Sequence, residues 1–315
     1  MTGVVYPLAP AVATTRPRPA DAVTVATGGY CPSMPRSART RRHRALAPAI
    51  VLAAVLALLA YMALEARDLT VNRVEFASPE LPLALDGLTV ALVTDVHHGP
   101  FLSRARVRDA VDRVNALEPD VIVLGGDYVH RDAKYIAPVF AELARLRAPL
   151  GVYGVLGNHD HWEGATATRR AMSAAGITLI ENAGVWLEAE GARLRLGGVG
   201  NLWEGEQRLG GAVGDAGADD FVLLVSHNPD YVEALTEGTV DLVLAGHTHG
   251  GQVRFVGAGA PWVPSEFGQR YRSGLVTKGP VPVLVSNGVG TVSPPLRFLA
   301  PAQIVLLTLR SGAPD

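Results

Sequence analysis

One cysteine, Cys31, occurs in 315 residues, and it lies in an N-terminal stretch rich in Pro, Ala and Thr. That leaves the main body of the chain without a disulfide framework, a cysteine-based metal site or a cysteine nucleophile. Charge is also sparse: Asp, Glu, Lys and Arg make up 18% of the chain, and the formal total of −2 hides an asymmetry. Residues 1–44 carry seven arginines against one aspartate, so everything after them is about eight units negative. An acidic main domain argues against nucleic acid as an obligate partner. No internal repeat is found, which sets solenoids and propellers aside. Charge disappears altogether from Ala45 to Leu64, ALAPAIVLAAVLALLAYMAL, whose 20 residues span about 30 Å as a helix, the thickness of a bilayer core.

A soluble helix of that length normally shows a polar face, and this run has none, so it reads as one N-terminal transmembrane helix. Pro48 falls in its first turn, where a missing N–H is tolerated. Arg36, Arg39, Arg41, Arg42 and Arg44 precede the run, while only Arg67 and Arg73 follow closely. By the positive-inside rule the N-terminus is cytoplasmic and the main domain extracytoplasmic, in a single-pass arrangement at the cell membrane. No clear Ala-x-Ala site follows, which favours an uncleaved signal-anchor. Thr40-Arg41-Arg42 is similar to a twin-arginine export signal, but His43-Arg44 stand where such signals place apolar residues. Residues 1–33 read as disordered, and initiation at Met34 would give a conventional short basic leader. The expected division is therefore a disordered basic segment (1–44), a transmembrane signal-anchor (45–64) and one domain (65–315).

Beyond the span, Val71–Phe76, Leu88–Thr94, Val121–Leu124 and Val152–Leu156 read as strands. Ser103–Leu117, Ala133–Arg147 and Ala165–Ala175 read as helices, with Ser103 as N-cap of the first. Strands follow at Thr178–Ile180, Val185–Glu188, Leu194–Val199, Phe221–Val225 and Leu242–Ala245. The last third reads as β, at Val253–Val256, Tyr271–Val276, Val283–Ser286 and Ile304–Leu309. Strand–helix alternation followed by a strand-rich tail predicts an α/β fold of two mixed β-sheets packed as a sandwich flanked by helices, a four-layer α/β/β/α arrangement. Gly200–Asp220 and Gly257–Gly274 are long for connections and are expected to be lids or substrate loops.

Five short blocks follow apolar runs: Asp95-Val96-His97, Gly126-Asp127, Gly157-Asn158-His159-Asp160, Ser226-His227-Asn228 and Gly246-His247-Thr248-His249. Eight of the nine histidines lie in or beside them. In open α/β sheets ligands bind at the carboxyl ends of strands, so residues spread over 155 positions can converge there. Asp95 and His97, like His247 and His249, are one residue apart at a strand end and can project to the same side toward one ion. One such pair is weak as a signal, and all the blocks together are specific to a split two-metal site.

These blocks resemble the pattern of the calcineurin-like metallophosphoesterase superfamily: Asp-x-His, Gly-Asp, Gly-Asn-His-Asp, His, Gly-His-x-His. Gly246-His-Thr-His-Gly-Gly-Gln252, Ser286-Asn-Gly-Val-Gly-Thr291 and Leu296-Arg-Phe298 are similar to its membrane-anchored or exported phosphodiesterase-like subgroup, over about residues 70–310. Gln303 departs from the Glu common in relatives. The resemblance implies one metal held by Asp95, His97, Asp127 and His249, and a second by Asp127, Asn158, His227 and His247. Four imidazoles disfavour magnesium and calcium and favour manganese, iron or zinc as the two divalent cofactors. A metal-bridging hydroxide would attack phosphorus, His159 would protonate the leaving alkoxide, and Asp160 would orient that imidazole or simply cap a helix. His98, His130 and His161 are expected to line the pocket or face solvent, while Arg131, Trp162, Trp203 and Arg297 could equally contact substrate or pack.

A membrane tether assists only a substrate that shares the surface, so lipid-linked or cell-wall phosphate esters rank above free nucleotides. Two alternatives stay open. One is a cytoplasm-facing pyrophosphatase of the UDP-diacylglucosamine type, and the other a metal- or wall-binding protein without turnover. Oligomeric state is not legible.

Overall fold

Residues 37–313 are described by the computed structural model, with side chains from 47 onward. The expectations for residues 1–36, including Cys31, Met34 and Arg36, fall outside the described residues. Helix α1 (Ser37–Glu65) starts eight residues ahead of the expected span, so Pro48 lies inside the helix and not in its first turn. The Arg-rich segment before Ala45 is compatible with helix and extends it backwards,. Ala47–Glu65 is long and apolar enough to cross a membrane, and Leu52, Leu56, Leu59 and Leu64 on it are exposed.

The chain then runs through β1 (Leu69–Ser78), β2 (Thr89–Val93), α2 (Arg104–Asn115), β3 (Val121–Leu124), α3 (Ile136–Leu143), β4 (Val152–Gly154), α4 (Asn158–Ala174) and β5 (Thr178–Leu179). The second half holds β6 (Ala183–Ala189), β7 (Ala192–Gly198), α5 (Leu209–Val213), β8 (Val222–Val225), β9 (Leu242–Ala245), β10 (Gly274–Val276), β11 (Val283–Val285) and β12 (Ala302–Ser311). Two six-stranded mixed sheets result, ordered β1-β12-β2-β3-β4-β5 and β10-β11-β9-β8-β7-β6. Strands β2 to β5 are parallel to one another, as are β7, β8, β9 and β11.

Period-two alternation with both faces apolar explains the layering. Val90 and Leu92 point between the sheets with Val121, Val123, Leu223 and Leu244, whereas Ala91 and Val93 point outward with Ile122 and Leu124. The outward face is covered by α2, α3 and α4 through Val107, Val111, Val139, Phe140 and Met172. On the far sheet Val222, Leu224, Val243 and Val285 bury Ala212, Tyr231 and Val232. Three apolar layers between four layers of backbone give the expected sandwich.

Register sets the site. Val93 pairs with Leu124 and Leu124 with Gly154 in one sheet, and Val225 pairs with Leu244 in the other, so their carboxyl ends lie level. Two expectations differ. The Gly200–Asp220 stretch is no free lid in its second half, because α5 forms there and the buried Arg195 Nε donates to the Ala212 carbonyl at 3.0 Å. Val253–Val256 makes only isolated bridges and a turn closed between Phe255 and Gly259, since Gly257 and Gly259 adopt positive φ and end any strand.

Candidate metal centre

Three of the five blocks leave their strands through backbone that ordinary residues avoid. Asp95, His97, Asp127, His247 and His249 have φ between 47° and 68°, in the left-handed region. Such residues cost about 1–3 kcal/mol each and persist where the surroundings over-determine them, as at functional sites. Two glycines let the loops meet: a Cβ on Gly157 would collide with the Asp127 carboxylate, and one on Gly246 with Thr94 and Asp95,.

The side chains form two triads, Asp95–His97–His249 and Asp127–His227–His247, each with ligand atoms within 4.8 Å of one another. All six are buried. His97 Nε2 lies 3.0 Å from His249 Nε2, and His249 Nε2 lies 3.4 Å from Asp95 Oδ1. Asp127 joins the triads, its Oδ2 being 3.5 Å from His97 Nε2 and 3.3 Å from His227 Nε2. Its Oδ1 accepts the His159 backbone N–H at 2.8 Å. His227 Nδ1 pairs with the Gly125 carbonyl at 2.7 Å, which puts a proton on Nδ1 and turns Nε2 toward Asp127,.

Several of these atoms lack partners. Asn158 Oδ1, His227 Nε2 and His247 Nε2 are buried and make no hydrogen bond. An orphaned buried polar atom ordinarily costs about 1–3 kcal/mol, so a cation that takes these atoms as ligands would stabilise the site. Burial holds His97 and His249 well below the ordinary histidine value, and burial together with His227 brings His247 down to about 3, leaving neutral imidazoles. Burial also lowers His227, but the Asp127 and Asp95 carboxylates outweigh it and push it up to about 9. Burial raises Asp127 too, yet His227 and His97 hold it ionised, well below the carboxylate range. Neutral nitrogens, amide oxygen and carboxylates turned inward on one another are a donor set that fits divalent cations.

Residues 88–251 match the family model for calcineurin-like phosphoesterase. The chain belongs to that family. Metallophosphoesterase YkuE of Bacillus subtilis is 31% identical over 235 residues, covering 73% of this chain and 82% of that protein. Phosphodiesterase YaeI of Escherichia coli is 31% identical over 224 residues, covering 70% and 81%. A transmembrane protein with metallophosphoesterase domain from Bos taurus is 28% identical over 258 residues, covering 77% of this chain and 57% of its own length. The chain is thus a metal-dependent phosphoric ester hydrolase, of a family that uses a dinuclear metal site.

The rest of this phosphoesterase's centre corrects and extends the sequence reading. Asp160 does not orient His159. Its carboxylate accepts backbone N–H groups from Asp127, Gly157 and Tyr128 at 2.7, 2.9 and 2.9 Å, so it clamps the Asp127 loop to the start of α4. Burial and the Asp127 carboxylate push Asp160 up to about 8, against the N–H donors of Gly157 and Tyr128. The His159 ring lies edge-on to His97 and Trp162, with centres 4.7 Å away in both cases. His130 is drawn further in than expected: it is buried, and a nitrogen of its ring, one of His97 and one of His159 lie within 4.8 Å of one another. His98 is buried, bonded through Nδ1 to Leu102 O, and packed edge-on against Tyr135, while His161 pairs with Glu181. Trp203 covers His247, ring centres 4.3 Å apart. Arg297 is fully buried and holds backbone carbonyls, including His249 O at 3.2 Å. Thr94 Oγ1, which donates to Asp95 Oδ2 at 2.8 Å, carried no signal in the sequence beyond being a hydroxyl next to a ligand candidate.

Proposed function

We propose that this chain is a membrane-tethered dinuclear phosphodiesterase. One ion is held by Asp95, His97, Asp127 and His249, and the other by Asp127, Asn158, His227 and His247. The observation that carries the reading is the single Asp127 carboxylate that belongs to one buried triad and lies 3.5 Å from His97 of the other. Manganese, iron or zinc suits four imidazoles better than magnesium or calcium does. Divalent cations bound there supply positive charge that neutralises phosphate oxygens and makes water more acidic.

The chain's own residues do the rest. Asn158 contributes a neutral oxygen, so the site carries two carboxylates and retains net positive charge for a phosphate anion. His227 is held in one tautomer by Gly125. His159, at the rim and backed by Trp162, faces the leaving group. Water adds its oxygen to phosphorus, the ester P–O bond breaks, the His159 proton passes to the leaving alkoxide, and the proton of water departs to solvent. Trp162 and Trp203 wall the opening on two sides.

Residues 45–64 serve as signal-anchor and 65–315 as the catalytic domain, on the extracytoplasmic face of the cell membrane, acting on a lipid-linked or cell-wall phosphodiester. The arginine bias across the apolar run and the likeness to a transmembrane protein with this domain support that placement,. A reporter active only outside the cytoplasm, fused after residue 68, will be active; activity of a cytoplasm-dependent reporter instead would reverse the orientation. Full-length protein loaded with manganese will hydrolyse bis(p-nitrophenyl) phosphate, and two metals per chain without turnover would make it a binding protein.

A further inference from the structure

Resting on the membrane-tethered phosphodiesterase reading, we infer that the face beside the end of α1 sits in the bilayer interface, and that an apolar groove behind it takes the hydrocarbon of a phosphodiester lipid. Tyr61, near the end of α1, packs edge-on against Phe298, ring centres 5.9 Å apart, and Phe298 in turn lies 6.3 Å from Phe255. Phe255 opens a tight turn whose tip, Val256, is 91% exposed. Trp262, three residues past the turn, is 67% exposed, and Leu299 beside Phe298 is also open. A contiguous row of bare aromatic and aliphatic side chains marks a contact surface.

The occupant follows from where the row sits along α1. Met62 O accepts the Arg297 N–H at 3.1 Å and Glu65 Oε1 accepts the Ala300 N–H at 2.9 Å, so the row is fastened to the turns where the apolar run gives way to Glu65 and Arg67. That is the level at which a span leaves hydrocarbon, and Tyr and Trp are enriched there. Arg67 and Arg106 line a 240 Å³ hollow with Phe101 and Leu296 at the same end of α1, placing guanidinium groups at headgroup height,. A protein partner would have no reason to follow the helix exit; the lipid surface must.

Behind Trp262 lies a cavity of about 190 Å³, walled by Gly251, Val253, Pro261, Val292 and Pro294 and closed at its inner end by His249. Trp262 of the exposed row and His249 of the first triad both line it. A lipid tail lying in it brings its phosphate toward the metal centre without leaving the membrane surface.

The test uses the full chain, Cys31→Ser, reconstituted in phosphatidylglycerol–phosphatidylethanolamine vesicles and carrying one nitroxide at Leu56→Cys, Val256→Cys or Glu190→Cys. Labels at 56 and 256 will relax with oxygen in preference to an aqueous nickel chelate, and the label at 190, in the β6–β7 turn, will do the reverse. A nickel-accessible label at 256 with 56 still shielded overturns the docking alone, and a nickel-accessible label at 56 overturns the tether and the docking with it. For the groove, Trp262→Ser will lower the ratio of turnover on vesicle phosphatidylglycerol to that on bis(p-nitrophenyl) phosphate by roughly tenfold, the scale of one large side chain's apolar contact. Equal loss on both substrates overturns the groove. Failure of the unsubstituted chain on both overturns the phosphodiesterase reading and the groove together, while the nitroxide result still decides the docking.

Discussion

Arg297 and His249 touch, and both are buried, yet their polar atoms are used in opposite ways. The terminal nitrogens of Arg297 donate to the carbonyls of His249, Ala300, Asn287, Gly288 and Gly290 at 2.6–3.3 Å, all within the protein. Burial drags its guanidinium down to about 10, still charged at neutral pH. Around the triads, by contrast, Asn158 Oδ1 and His247 Nε2 make no hydrogen bond within the chain. A buried charge that satisfies its neighbours is scaffold; buried polar atoms left unbonded beside strained ligand residues mark a ligand site. Residue type does not tell the two apart, because both regions are rich in cationic or imidazole groups.

The contrast breaks most visibly at Asp127. Asp127→Ala removes the ligand shared by both ions and will empty both sites and abolish turnover, as read by metal analysis and a diesterase assay; two metals retained at near-normal rate would sink the assignment. His159→Gln will keep metal and fold but lower kcat by roughly 10²–10⁴, the range of a positioned general acid. That defect will shrink with a p-nitrophenolate leaving group. Metal loss in this variant would make His159 a ligand, and equal loss on alkyl and aryl diesters would make it a phosphate-binding group.

On the scaffold side, Arg297→Leu leaves five carbonyls without their donor and will cost about 3 kcal/mol or more in denaturant unfolding. Loss of metal with unchanged stability would erase the distinction between the regions. The smallest effect concerns Glu142, whose side chain is 1% exposed beneath Arg104 and Arg108. The hydrogen bond from Arg108 leads the causes that bring it down to about 2. A lowered carboxylate pKa contributes stability that is present above its unfolded value, near 4.5, and is lost as pH falls from there to about 2,. Glu142→Gln will therefore remove about 1 kcal/mol at neutral pH, its arginine partners being half exposed, and flatten the acid limb of the stability curve. An unchanged acid limb would show that the pairing contributes nothing.

Much of this was legible because the strands are short apolar runs that stop at a histidine or aspartate. Val121–Leu124 and Leu242–Ala245 are found where expected, and so is the sandwich, since runs apolar on both faces require cover on both,. Sequence left Asp160 between orienting His159 and capping the helix, because adjacency says nothing about direction: at the start of α4 its carboxylate turns back to backbone N–H groups,. Helix α4 begins at Asn158 and not at Ala165, kinked at Gly164, whose φ of 142° a helical pattern cannot reveal. The strained φ at five site residues had no signature beyond Asp and His being tolerant of that region. Arg297 looked like any arginine in a loop, and only its burial among carbonyls separates it from a substrate contact.

Level strand ends in two different sheets have a further consequence. Asp95 and His97 leave β2 while His249 leaves β9; Asp127 leaves β3 while His227 and His247 leave β8 and β9. Neither triad can be assembled from one sheet. Any single strand end offers at most two adjacent ligands, so a chain with only half its sandwich formed has no complete site for a cation. Divalent cations bound at both triads would therefore tie the two sheets together and hold only to the finished architecture,.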